Sequence, residues 1–209
     1  MPQYYMFYKP RGYLTAKTDA WRPTMMEFFP PEVRSRLHPV GRLDKDSEGL
    51  LLVTDDGMLD NALLQPSRHV PKKYAFQAFG VLTPAQVAQL EAGVPLPGKE
   101  TVMTKPARAQ LLPPSTIGAC AKDLPAQRRE HFLKNPDRPV CRGLIWIREG
   151  RKHQVRLMLK AVGCHVFWLK RLAIGSLELD PALAPGDYRS LTAEEVARLF
   201  SDGRTGASV

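Results

Sequence analysis

Gly49-Leu50-Leu51-Leu52-Val53 has no polar side chain and lies between Ser47-Glu48 and Thr54-Asp55-Asp56-Gly57. Such a short apolar run bounded by turn residues predicts a buried strand, Leu50 to Thr54, closed by Asp55-Asp56-Gly57. No uninterrupted apolar run approaches membrane-spanning length. A buried strand needs partners, and the rest of the chain supplies them. Tyr4 to Tyr8 is aromatic and strand-like, and Lys9-Pro10-Arg11-Gly12 follows as a turn. Lys73 to Phe79 alternates Tyr74/Phe76/Ala78 with Ala75/Gln77/Phe79, the two-residue period of a strand. Lys105 to Leu112, Arg142 to Arg148, His165 to Leu169 and Ser176 to Leu179 complete the expected set.

Helices are predicted between them. Met58 to Leu64 should be a short helix stopped before Pro66. Thr83-Pro84-Ala85-Gln86 offers an N-cap Thr, Pro at the first helical position and Gln at N3, opening a helix that Gly93 ends. His153 to Val162 should be a helix ended by Gly163. Thr192-Ala193-Glu194-Glu195 is a capping box for a last helix reaching Phe200, with 201–209 as a flexible polar tail. Residues 113–140 hold five prolines and mixed charge, which predicts a long loop or surface insertion. Clustered strands with interspersed helices argue an α+β fold with a largely antiparallel sheet, one unit over residues 1–200 without repeat or linker.

Charge is the first clue to function. The 209 residues carry a net +9, unevenly spread. Residues 43–64 hold six carboxylates and one basic side chain, whereas 120–156 hold ten basic and four acidic ones. A basic surface attracts polyanions, and nucleic acid is the commonest in a cytoplasm. The acidic island does not suit a purely electrostatic binder and calls for another explanation. Cys120, Cys141 and Cys164 are odd in number and far apart, so neither a disulfide framework nor a structural zinc site is expected. With no signal peptide at Met1-Pro2-Gln3-Tyr4-Tyr5, a reduced, cytoplasmic protein is the expectation. No dinucleotide-binding, phosphate-loop, zinc-protease or serine-hydrolase motif is present, and His38, His69, His131, His153 and His165 lack metal-like spacing. Neither metal nor cofactor is predicted.

Three segments carry candidate chemistry. In His38-Pro39-Val40-Gly41-Arg42-Leu43-Asp44, a loop ending in Arg-Leu-Asp precedes the Ser-Glu-Gly turn that feeds the apolar strand. A carboxylate beside buried apolar sequence is costly unless paired. Asp44 is therefore either one half of a structural pair with Arg42 or a functional group. In Lys72-Lys73-Tyr74, basic residues lead into an aromatic that is either a core ring or a base-stacking one. In Glu149-Gly150-Arg151-Lys152-His153-Gln154-Val155-Arg156, Arg156 lies one turn inside a helix whose Val155, Leu159 and Val162 share a buried face. It is either an exposed helix cation or one paired with an anion or a buried Asp.

The order G-R-L-D-x-x-S-x-G-L-L, K-x-Y and E-G-R-x-H-Q-V-R resembles the RsuA-type ribosomal RNA pseudouridine synthases. Lys105-Pro106-Ala107, Ala161-Val162-Gly163-Cys164-His165-Val166, Arg171-Leu172-Ala173-Ile174-Gly175 and Leu183 to Leu191 extend the likeness from Tyr4 to Leu199. Members commonly carry a small N-terminal RNA-binding S4 domain. The likeness begins at the catalytic domain, so no S4 domain is expected here, and residues 113–140 resemble the extended connection of an S4-lacking large-subunit branch. Leu157 stands where a second basic residue often follows the H-Q-V-R arginine.

The resemblance implies the pseudouridine synthase catalytic fold, a mixed sheet with flanking helices and a central cleft. It implies isomerisation of a uridine in ribosomal RNA by a monomer without cofactor. Asp44 would be catalytic, by attack on C1′ or by assisting proton removal from the sugar. Tyr74 would stack on the target base, and Arg156 would pair with Asp44. Arg42 would sit at the RNA, and Leu172 and Ile174 would floor the pocket. Lys9, Arg11, Lys72, Lys73, Arg151 and Lys152 are candidates for contacts to the RNA backbone. A non-catalytic ribosomal RNA binder on the same fold, or a tRNA-directed enzyme, are the competing expectations.

Overall fold

In the computed structural model, which describes residues 2–205 except 66, 69 and 98–100, the apolar run is the middle of a seven-residue strand. The expected stop at Pro66, His69 and the end of the expected tail, 206–209, lie outside the described residues. The elements up to residue 92 are β1 (Tyr4–Lys9), α1 (Pro31–Arg34), β2 (His38–Val40), β3 (Glu48–Thr54), α2 (Gly57–Leu64), β4 (Lys72–Phe79) and α3 (Pro84–Ala92). Then come β5 (Pro95–Leu96), β6 (Val102–Met103), β7 (Arg108–Thr116), α4 (Arg129–Leu133), β8 (Pro139–Ile147) and α5 (Gln154–Ala161). Last are β9 (His165–Ile174), β10 (Leu177–Glu178), β11 (Tyr188–Ser190) and α6 (Ala193–Thr205). Strands pair mostly antiparallel and helices flank them, as the α+β reading expects. Among the described residues no helix is long and apolar enough to cross a membrane.

The chain gathers into two compact units, the described residues up to 72 with those from 170 onward, and residues 73–169. No linker announces this in the sequence, because both crossings fall inside strands, β4 and β9. In the first unit the strand order is β11-β1-β3-β9, with β2 also on β3 and β10 on β9. All of these pairs are antiparallel except β3 with β9, whose register sets Glu48 against Lys170 and Gly49 against Arg171. Leu50 and Leu52 join Met6, Val40, Ile174 and Leu177 in a core closed by Leu59 and Leu63 of α2 and Leu199 of α6. Leu51 and Val53, on the opposite face of β3, are equally buried, so the strand has cover on both sides. Each such side chain contributes about 1.5–3 kcal/mol by leaving water.

The last helix runs past the expected end at Phe200 to Thr205. Its extra turn has a reason. Asp202 accepts from the backbone N–H and hydroxyl of Ser176 at 2.7 and 2.8 Å, and Gly203 lies so close to α2 that a Cβ would come within 2.6 Å of the Ala62 carbonyl oxygen. Part of the predicted tail is thus helix.

In the second unit β4 lies between β9 and β8, with β7 outside β8. The β7–β8 register shifts between Leu112 and Ser115, where Pro113 and Pro114 cannot donate to the ladder. Residues 113–140 differ most from expectation. Instead of an irregular extended loop, they hold the end of β7, 3-10 turns at Ala121–Asp123 and Ala126–Arg128, α4 and the start of β8. They also have a core of their own. Ile117, Cys120, Leu124 and Val140 are buried with Phe167, and Phe79, Phe132, Leu133 and Trp168 pack against them.

Candidate active site

The first unit contributes a carboxylate on a fixed turn. Asp44 is half-buried in the segment between β2 and β3, and its carbonyl accepts from the Ser47 N–H at 3.0 Å. Just before it, the Thr15 hydroxyl donates to the Leu43 carbonyl at 2.8 Å and accepts from the Leu43 N–H at 3.2 Å. Just after it, Gly12 N–H donates to the Lys45 carbonyl at 2.9 Å. At the end of the turn Gly49 has φ +104°, and a Cβ there would meet the Arg171 carbonyl oxygen at 2.3 Å. Only glycine fits that approach between β3 and β9.

Two buried cations hold this turn from inside. Lys9, fully buried, donates from Nζ to the carbonyls of Ser47 at 2.9 Å, Pro10 at 3.0 Å, Asp44 at 3.3 Å and Lys45 at 3.4 Å. Burial pushes its amine from 10.5 to about 8, against the pull of Asp44, Asp46 and Glu48. Arg171, 3 % exposed, donates from Nε to the Leu50 carbonyl at 2.7 Å and from Nη1 to the Arg42 carbonyl at 3.3 Å. Part of the acidic island therefore faces an internal positive scaffold. Arg42 itself is exposed, Arg11 half-buried and Leu172 half-buried.

The second unit carries the other two motifs. Tyr74 is buried in β4, with 8 % of its surface exposed. The next strand over presents Trp146, whose ring carries Lys73 Nζ at 5.7 Å and the Arg108 guanidinium at 4.9 Å from its centroid. Before α5, Glu149 organises the turn. It accepts from Gln154 Nε2 at 2.6 Å, Lys105 N–H at 2.9 Å and Arg151 Nε at 3.2 Å. Gln154 in turn accepts from the Arg151 N–H at 2.9 Å. His153 adopts φ 55°, the left-handed region that non-glycine residues seldom enter, so α5 starts at Gln154 rather than at His153. Arg156 is half-buried and donates to the Val166 carbonyl at 3.1 Å. Arg151 and Lys152 are exposed.

Three sequence expectations need correction. Lys9 cannot meet a phosphate, because its ammonium is enclosed by four carbonyls. Lys72 is half-buried with Nζ on the Val70 carbonyl at 3.0 Å, and burial first, then the charge of Arg171, lowers its amine to about 8. It is a poorer phosphate partner than its place beside Lys73 suggests. Ile174 is a core residue among Leu50, Leu52 and Leu199, not the floor of an open pocket. Arg171 has no role assigned by the sequence motifs, yet it anchors the turn. Its signal is the alternation in β9, where Phe167, Leu169, Arg171 and Ala173 form the buried row.

Comparison with known proteins bears on this arrangement. The family model for RNA pseudouridylate synthase matches residues 3–161. An uncharacterized RNA pseudouridine synthase, YtzG of Bacillus subtilis strain 168, is 40% identical over 194 residues, spanning 92% of this chain and 71% of that protein. The ribosomal small subunit pseudouridine synthase A of Escherichia coli strain K12 is 36% identical over 196 residues, 94% of this chain and 73% of the relative. A crystal structure of a pseudouridylate synthase superposes with a TM-score of 0.76 at 33% identity, covering 95% of this chain and 74% of that one. Human RNA pseudouridylate synthase domain containing 1, at 14% identity and a TM-score of 0.56, shares the fold.

Proposed function

The chain belongs to the RNA pseudouridylate synthase family, and from that premise we propose that it isomerises one uridine of ribosomal RNA with Asp44 as the catalytic carboxylate. The observation that carries the assignment is the turn itself. The backbone on both sides of Asp44 is fixed by Thr15, Lys9 and Gly12, while its side chain stays partly open. A carboxylate held in this way loses little freedom when it meets substrate.

The reaction breaks the bond between uracil N1 and C1′ and joins C1′ to C5. N1 gains a proton and C5 loses one, so nothing is oxidised or reduced. Asp44 would act at the sugar, as a nucleophile on C1′ or as the acceptor of a sugar proton. Tyr74 would stack on the base and assist removal of the C5 proton, and Arg156 would pair with the carboxylate. Because C1′ and C5 are inaccessible within a stacked helix, the uridine must be everted. Exposed Arg42 would take its place in the RNA, and Leu172 would line the pocket. Lys73, Arg11, Arg151 and Lys152 remain the backbone contacts of this proposal. Ribosomal RNA as target is supported by the name of the 36%-identical relative.

Mapping pseudouridines in total RNA with and without the gene tests the reading. One ribosomal uridine should remain unconverted when the gene is absent. A change confined to tRNA would contradict the target, and an unchanged map would contradict the activity.

A further inference from the structure

The loop between Leu14 and Thr24 bears an aromatic side chain that nothing covers. Trp21 is 93% exposed, the most open of the large apolar residues among the described ones. Its backbone is nevertheless well ordered by the turn that carries it. Asp19 Oδ1 accepts from the N–H groups of Trp21 and Arg22, both at 3.0 Å, and Oδ2 accepts from Arg22 Nη2 at 3.0 Å. The base of the loop is clamped by Leu14 N–H to the Pro23 carbonyl at 3.0 Å and Met25 N–H to the Leu14 carbonyl at 2.9 Å. An indole carried outward on such a turn lacks the burial that would stabilise it, and the backbone that carries it is already held in place.

The loop is also continuous with the turn around Asp44. Thr15, which grips both backbone groups of Leu43, lies six residues before Trp21. At full extension six residues reach about 20 Å, so the backbone of Trp21 lies within that distance of Thr15. The chain around the loop carries a surplus of cations. Asp19 is paired with Arg22, and residues 11–42 hold six basic side chains, Arg11, Lys17, Arg22, Arg34, Arg36 and Arg42, against the three carboxylates Asp19, Glu27 and Glu32. An exposed aromatic on a hydrogen-bonded turn, with a surplus of cations, matches the chemistry of single-stranded nucleic acid, whose bases stack on aromatic rings while cations follow the phosphates.

We propose that Trp21 stacks on an unpaired RNA base flanking the target uridine, a substrate-recognition contact at the tip of the 14–24 loop. The proposal rests on the reading of the chain as an RNA uridine isomerase. Stacking is tolerant of base identity, so this contact would add affinity and hold the strand, and the choice of uridine would lie elsewhere.

The test reads binding and activity separately. Full-length protein carrying Asp44→Asn is titrated with a single-stranded oligouridylate while indole emission is recorded. Emission should be quenched, and the quench should shrink in a protein that also carries Trp21→Phe, in which Trp146 and Trp168 remain, yet binds within about threefold as tightly. Trp21→Ala should weaken binding about five- to a hundredfold, the range that loss of one stacked base produces. An unchanged emission, absence of binding, or equal affinity of the Ala variant overturns the proposal. An exposed indole that instead docks a protein gives the first or second of these. Isomerisation of ribosomal RNA by protein with Asp44 intact is assayed alongside. Its absence counts against the functional reading, and the quench still decides the fate of Trp21.

Discussion

Around Asp44, the cations Lys9 and Arg171 point inward and hold backbone carbonyls of the turn. In residues 117–138 the arrangement is reversed. The centre is apolar, built on Ile117, Cys120 and Leu124, and the arginines lie outside. Arg128 sits 5.0 Å over the Phe132 ring and Arg138 5.1 Å over that of Phe79. Lys9 and Arg171 spend their charge inside the fold, whereas Arg128 and Arg138 keep theirs at the surface. A net charge of +9 therefore overstates the RNA-facing surface, because some of it is internal scaffold whose desolvation the carbonyls must offset.

Substitutions in the two regions should separate these uses of charge. The largest effect is expected at Lys9. Lys9→Met leaves buried carbonyls without their donor and should lower the unfolding free energy by about 3–4 kcal/mol in urea, with activity falling alongside. The wild-type amine adds a pH signature. Its folded value near 8 lies below its ordinary 10.5, so between those limits the unfolded chain binds more protons. Stability from this group must then rise with pH across that window, and the wild type should gain on Lys9→Met from pH 8 to 10. A constant difference would mean the buried ammonium carries its charge without penalty.

The next effect is at Leu124, fully enclosed in the small core around Ile117 and Val140. Leu124→Ala should reduce stability by about 2–3 kcal/mol through the cavity it leaves, while single-turnover isomerisation by the folded fraction is unchanged. An insertion that is only a passive loop would show no such loss. The smallest effect is expected at the surface. Arg128→Gln and Arg138→Gln should each change stability by less than about 1 kcal/mol. If these residues meet phosphate, each should lower the slope of log affinity against log salt by about 0.7–0.9. An unaltered slope would make them caps on aromatic rings and nothing more.

Local chemistry made much of the fold legible. The capping residues of α3 bond as their spacing predicts, with Gln86 N–H on the Thr83 hydroxyl at 3.3 Å and Thr83 N–H on the Gln86 side chain at 2.8 Å. Thr192 and Glu195 do the same at α6. What escaped was set by partners distant in sequence. The acceptors of Lys9 other than Pro10 lie 35–38 residues away, so a lysine beside a turn read as a surface cation. The proline-rich 113–140 segment read as loop because its short turns bury residues against Phe79 and Phe167, which lie far away in the chain. Asp44 could be singled out because Arg42, Ser47 and Gly49 stand beside it in one short motif, and its proposed role came from the family resemblance of that motif.

The central claim is that Asp44 performs the chemistry and that the surrounding turn only holds it. Single-turnover conversion of unmodified ribosomal RNA by Asp44→Asn protein tests this most directly, with RNA affinity and thermal unfolding measured on the same preparation. The amide keeps the shape of the side chain but loses its charge and nucleophilicity. The account predicts that pseudouridine formation is abolished while affinity stays within about threefold and the unfolding temperature is unchanged. Turnover close to that of the wild type would contradict it and pass the catalytic role to another carboxylate, with Asp46 the first to examine.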